Sequence, residues 1–128
     1  MREEVTNWWE QAKRDLVTAR NSDKSGDYYA AVFFCQQAAE KGLKALYILK
    51  LRESPGTTHS LVYLADKLKI PKNFFQLLKE LTPEFVTTRY PDVVGEVPYK
   101  LYDEELAQEF IKGTEELIKW IESQMPRQ

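Results

Sequence analysis

Asp27-Tyr-Tyr-Ala-Ala-Val-Phe-Phe-Cys-Gln-Gln-Ala-Ala-Glu-Lys-Gly-Leu-Lys-Ala-Leu-Tyr-Ile-Leu-Lys50 decides the fold of this chain. The stretch is too apolar for a surface helix, and too short and too charged to span a membrane. At 100° per residue, Ala31, Phe34, Cys35, Ala38, Gly42, Ala45, Leu46 and Leu49 fall on one broad face. The small members, Ala31, Ala38, Gly42 and Ala45, let a second helix approach closely. Gly42 costs about 1 kcal/mol of helix propensity relative to alanine, and close packing is the compensation. Gln37, Glu40 and Lys44 form a polar row within roughly 60° of one another, opposite that face. A mostly buried helix with such a row reads as a central helix with a function on one side.

The flanks extend the same pattern. Val5, Trp8, Ala12, Leu16 and Ala19 share one face of a first helix, predicted over Glu3 to Asn21. The polar run to Gly26 breaks it, and Asp27 is placed to cap the central helix. That helix is expected to end near Arg52, before Ser54-Pro55-Gly56. Thr57 or Thr58 is expected to cap a short third helix carrying Leu61, Leu64, Ala65 and Leu68. Pro71 suits the first turn of a fourth, with Phe74, Phe75, Leu78 and Leu81. From Thr82 to Leu101 the prolines point to a helical turn near Glu84 to Thr88, then an ordered loop. Asp103 caps a last helix that carries Phe110, Thr114, Leu117 and Ile121 on one face. The expected architecture is all-α: an antiparallel bundle of four long helices plus a short one, in a single domain over residues 1–128.

Composition removes several functional classes. The 128 residues carry 30% charged side chains and a net charge of -2, which does not favour nucleic acid as an obligate partner. One cysteine, Cys35, forms no internal disulfide and reads as a buried thiol. One cysteine and one histidine make no metal-ligand cluster, so neither metal nor cofactor is expected. No phosphate loop or nucleophile motif is present, and no catalytic residue is assigned. The N-terminus has no apolar signal core, so the expected location is the cytoplasm, away from membranes.

Three elements are candidates for a ligand site. The first is the polar row of Gln37, Glu40 and Lys44 with the neighbouring Lys41, flanked by the aromatic Tyr29, Phe33 and Tyr47. A solvated stripe with a Glu40–Lys44 pair is the alternative there. The second is His59, which either fixes its loop by hydrogen bonding or meets a ligand. The third is Arg89-Tyr90-Pro91-Asp92, where the arginine fork suits phosphate or carboxylate, or instead pairs with Asp92 or with a helix to pin the loop.

Tyr29-Ala-Ala-Val-Phe-Phe-Cys-Gln-Gln-Ala-Ala-Glu-Lys-Gly-Leu-Lys-Ala-Leu46, Thr58-His-Ser-Leu61, Arg89-Tyr-Pro-Asp92 and the helix ending in Ile118-Lys-Trp-Ile121 occur in this order. Together they resemble the HEPN domain family (higher eukaryotes and prokaryotes nucleotide-binding), over nearly the whole chain. The resemblance implies a helical bundle, usually a homodimer, of the branch found beside minimal nucleotidyltransferases, often in toxin–antitoxin pairs. The polar row on a buried helix motivates a nucleotide or phosphate as the expected ligand: Arg89, Lys44 and Lys41 would meet the anion, Tyr90 would stack on a base, and Gln37, Glu40 and His59 would add hydrogen bonds. Ribonuclease members carry an arginine, four to six residues, then a histidine. After Arg89 those positions hold Val94, Gly95 and Glu96, so the motif is not intact and RNA is not the expected partner. The alternatives are a ribonuclease that combines Arg89 with His59, and a purely structural dimerisation protein.

Overall fold

Gly26 sets the first corner of the fold. The computed structural model describes residues 1–127, and its regular elements are all helical. Helix α1 spans Glu3–Lys24, one turn beyond the expected end at Asn21. Ser22, Asp23 and Lys24 keep helical geometry, and the chain turns only where Gly26 adopts φ 81°. The Asp27 N–H donates to the Ser22 carbonyl at 2.9 Å and so closes the corner. This tight connection holds Asp27 at ψ 69°, and its side chain makes no cap hydrogen bond, contrary to expectation.

Helix α2, Tyr28–Leu51, is the central rod and ends at Arg52 in the left-handed conformation. More than half of its residues are buried. Helix α3 covers Leu61–Leu68. Its cap is Ser60, whose hydroxyl accepts from the Tyr63 N–H at 3.2 Å. Thr58 does not cap it; its hydroxyl accepts from the Ser60 N–H at 3.0 Å and shapes the approach. Pro71 precedes a 3-10 turn at Lys72–Phe74, which leads into α4, Phe75–Leu81. The expected turn near Glu84 is α5, Glu84–Thr87. The expected loop holds α6, Pro91–Val94, and a 3-10 turn at Pro98–Leu101. Helix α7, Glu104–Gln124, starts at Asp103, whose carboxylate accepts from the Leu106 N–H at 2.9 Å.

The bundle thus has three long helices, and short pieces between α2 and α7 complete it. Asp15 of α1 meets Lys41 of α2, and Arg20 of α1 meets Glu115 of α7, so α1 lies against both. The α1–α2 corner makes those two antiparallel. Gly42 sits midway, where an added Cβ would lie 3.1 Å from Ile121 and 3.2 Å from Ile118. The small residues of α2 therefore do what their spacing predicts, since Ala31, Ala38, Gly42 and Ala45 are all buried. Cys35 is buried too, and burial pushes its thiol up to about 12. No helix among the described residues is long and apolar enough to cross a membrane.

The segment after α5 is anchored by one polar cluster. The Tyr102 hydroxyl donates to the Glu84 carboxylate, which also accepts from the Thr87 hydroxyl at 2.6 Å. Burial and this carboxylate push the Tyr102 phenol well above its ordinary range. Tyr102→Phe should cost about 1 kcal/mol, the net worth of one part-buried hydrogen bond. That corresponds to a midpoint lower by about 4 °C in thermal unfolding followed by circular dichroism. An unchanged midpoint would show that the cluster does not hold the segment.

Candidate functional site

Glu40 stands at the centre of the polar row, and it is not solvated. Residues Glu40 and Lys44 are each only 4% exposed. One carboxylate oxygen accepts from Gln36 Nε2 at 3.1 Å and from His59 Nδ1 at 3.0 Å. The other accepts from Lys44 Nζ at 3.1 Å. All three donors are needed, because a buried carboxylate without partners is strongly disfavoured. Gln36 is fully buried, donates a further bond to the His59 carbonyl at 3.4 Å, and accepts from Gln37 Nε2 at 2.7 Å. Trp8 of α1 covers Lys44, with its ring centroid 5.4 Å from Nζ.

This geometry fixes the histidine tautomer. A carboxylate can only accept, so Nδ1 carries the proton and a neutral ring presents Nε2 as an acceptor. His59 is exposed, unlike Glu40 behind it. Its ring stacks on Phe85 with centroids 3.7 Å apart and planes 17° apart.

Phe85 also receives Arg89. The guanidinium carbon lies 4.8 Å from the Phe85 ring centroid, 4.9 Å from Phe33 and 5.0 Å from Tyr90. Arg89 Nε donates to the Phe85 carbonyl at 2.8 Å. Among the described residues the terminal amino groups of Arg89 have no hydrogen-bond or ion-pair partner, and the side chain is exposed. The aromatic rings orient the fork and leave those groups available to an anion.

The expected ligand residues therefore fall into two groups. Gln37, Glu40, Lys44 and His59 belong to one hydrogen-bonded network, and Phe85 joins it to Arg89 and Tyr90. Lys41 turns to α1 instead, where Nζ bonds Asp15 at 2.6 Å and Gln11 Nε2 bonds the same carboxylate at 2.9 Å. Asp92 is exposed and makes no pair with Arg89 among the described residues, so the loop is not pinned in that way. The row does not lie opposite the core as a solvated stripe. Trp8 from α1 and the His59 loop cover it, and neither is placed by the periodicity of α2.

Gln36, Trp8 and Phe85 are the members that sequence reasoning missed. Gln36 was hidden by its neighbour Gln37, which fits the polar row better on a helical wheel. Trp8 carried a weak signal as the largest residue on the apolar face of α1. Phe85 had none, because its role depends on where α5 docks. Among the described residues no cluster of His, Cys, Asp or Glu could hold a metal ion.

The comparisons with known proteins agree with this architecture. The HEPN domain model matches residues 5–124. The crystal structure of an archaeal HEPN homologue superposes with a TM-score of 0.81 at 34% identity, covering 97% of this chain and 98% of that one. A crystal structure of a protein from Thermus thermophilus gives a TM-score of 0.87 at 29% identity, covering 97% of this chain and 100% of that one. A HEPN domain protein from Thermotoga maritima gives 0.70 at 24% identity over 91% of this chain and 95% of that one, and shows the fold alone. Among curated proteins no sequence matches.

Proposed function

We propose, for a chain that belongs to the HEPN domain family, the role of a dimeric, non-enzymatic binding protein. Its partner is a minimal nucleotidyltransferase, in a module of the toxin–antitoxin type. Its ligand is a nucleotide or another phosphate. The observation that carries the ligand part is the Arg89 fork, gripped by Phe33, Phe85 and Tyr90 with its terminal amino groups unpartnered among the described residues. A phosphate takes that fork in a bidentate way, and exposed Tyr90 offers a flat surface to a base. His59, stacked on the Phe85 ring, keeps Nε2 as a polar contact for the ligand. Glu40, Gln36, Gln37 and Lys44 serve the site from behind, by holding His59 in place.

Isothermal titration with AMP, ATP and inorganic phosphate tests this. Saturable binding is expected, weakened ten- to a hundredfold by Arg89→Ala, the loss of one charge-assisted bidentate contact. Arg89→Lys should recover only part of it, because an ammonium lacks the fork. No saturable binding, or an equal affinity in Arg89→Ala, would sink the ligand part. Co-purification with a nucleotidyltransferase encoded beside the gene, and sedimentation of a dimer, test the remainder.

One observation favours a second reading. His59 and Arg89 both pack against the Phe85 ring. A ribonuclease assembled from these two residues would need both. RNA left intact by the purified protein removes that reading.

A further inference from the structure

The C-terminal ends of α2, α3 and α7 line a cleft of about 370 Å³. Its charged lining is of one sign. Lys50, Lys67 and Lys69 line it, all three are exposed, and no carboxylate joins them there. None of the three has an ion-pair partner among the described residues, and Lys67 lies over the Tyr63 ring at 5.7 Å. The carboxylates that flank them in sequence or on α7 are Glu53, Asp66, Glu116 and Glu122, and the flanking cations are Arg52 and Lys72. None of these six lines the cleft, and Glu53 is already held by the Tyr47 hydroxyl at 3.0 Å.

Lysines in the last turn of a helix complement its dipole, which accounts for Lys50 and Lys67. Lys69 is different. It stands just past α3 at φ 55° and ψ 44°, the left-handed position where glycine is the ordinary residue. A side chain there costs backbone energy, and strain of this kind points to a site. The rest of the lining is mostly apolar, with Leu46, Leu51, Leu68 and Trp120 beside the polar Gln124. Leu51 is 38% exposed, and half-buried Trp120 rests on Phe74 with centroids 6.1 Å apart.

We propose that this cleft binds a small amphiphilic anion, a carboxylate or phosphate head carried on an aliphatic chain. Three ammonium groups around one cleft repel one another, and an anion among them relieves the repulsion. A bare anion would leave the leucines and Trp120 in water, whereas an aliphatic chain covers them. The volume lies in the range of small-molecule sites, roughly 300–1,000 Å³. Phe33 and Arg89 belong to the other end of α2, so the inference depends neither on a ligand at Arg89 nor on a nucleotidyltransferase partner.

The probe is decanoate, and the counter-probe is decyltrimethylammonium, which has the same chain and the opposite charge. Saturable binding of decanoate is expected in NMR, with shifts confined to Lys50, Leu51, Leu68, Lys69, the Trp120 indole and their neighbours. Octanoate should bind several-fold more weakly, because fewer methylenes are covered. Affinity should fall about tenfold in Lys50→Gln/Lys69→Gln, together with its salt dependence. Lys69→Gly should weaken binding several-fold while raising the thermal midpoint by about 3 °C, as the left-handed strain is relieved. A lysine with only a structural role would move the midpoint and leave the affinity alone. Circular dichroism checks that both variants fold. Five results would overturn the inference: no saturation, equal binding of decyltrimethylammonium, equal affinity for octanoate, shifts elsewhere, or undiminished binding by either variant. Association with phosphatidylglycerol vesicles without saturable binding of decanoate would also overturn it, and would assign the cleft to a lipid surface.

Discussion

Glu40→Ala should destabilise the folded protein by about 3–5 kcal/mol, the cost of leaving a buried charge without its partner. The substitution strands Lys44, which is 4% exposed and has no other carboxylate among the described residues. It also removes an acceptor from fully buried Gln36 and releases His59 from Nδ1. Urea unfolding followed by fluorescence measures the loss; a cost below about 1 kcal/mol would mean that the pair is worth no more than a surface one. Glu40→Met combined with Lys44→Met should recover much of the stability, because an apolar pair of similar volume has no desolvation penalty. That double variant separates stability from function. It keeps the bundle but frees the His59 ring, so hydrogen exchange across residues 52–60 should quicken while the core stays protected.

Gly42→Leu should cost about 3 kcal/mol, near the upper end for overpacking a core. The position faces Ile118 and Ile121 of α7, with Ala12 of α1 at 3.8 Å, so the added methylenes have no space to enter. The outcome for Gly42→Ala is different. Its Cβ would meet only the δ-methyl tips of two isoleucines, which can shift by a few tenths of an ångström. Helix propensity gains about 1 kcal/mol from the same change. The two effects nearly cancel, and the expected shift in urea midpoint is small. A leucine tolerated without loss would show that α2 and α7 are not in close contact at this point.

Much of the fold was legible because it rests on local periodicity. The faces of α2 and α7 follow from spacings of three and four, as does that of α1 except that Trp9, not the expected Trp8, is its buried tryptophan, and Asp103 caps α7 as its position predicts. The helix starts that were misread depend on surroundings. Asp27 has the right side chain, but the corner at Gly26 fixes its backbone away from cap geometry. Ser60 rather than Thr58 caps α3, since a hydroxyl two residues earlier is already committed to shaping the loop.

The candidate site was legible as a set of residues and not as an arrangement. Gln37, Glu40, Lys44, His59 and Arg89 were visible as polar groups where apolar ones would have been cheaper. The helical wheel of α2 placed the row away from the core, because a wheel contains only one helix.

The amino-acid sequence by itself determined the all-helical bundle, the central position of α2 and the need for close packing at Gly42, since each depends on residues within one turn or two. Tertiary structure alone decided what the polar row does. Trp8 and His59 arrive from other parts of the chain to meet Lys44 and Glu40, and Phe85 packs against both the His59 imidazole and the Arg89 guanidinium. Burial turns an i,i+4 pair that would contribute a few tenths of a kcal/mol on a surface into a buried ion pair whose disruption costs several.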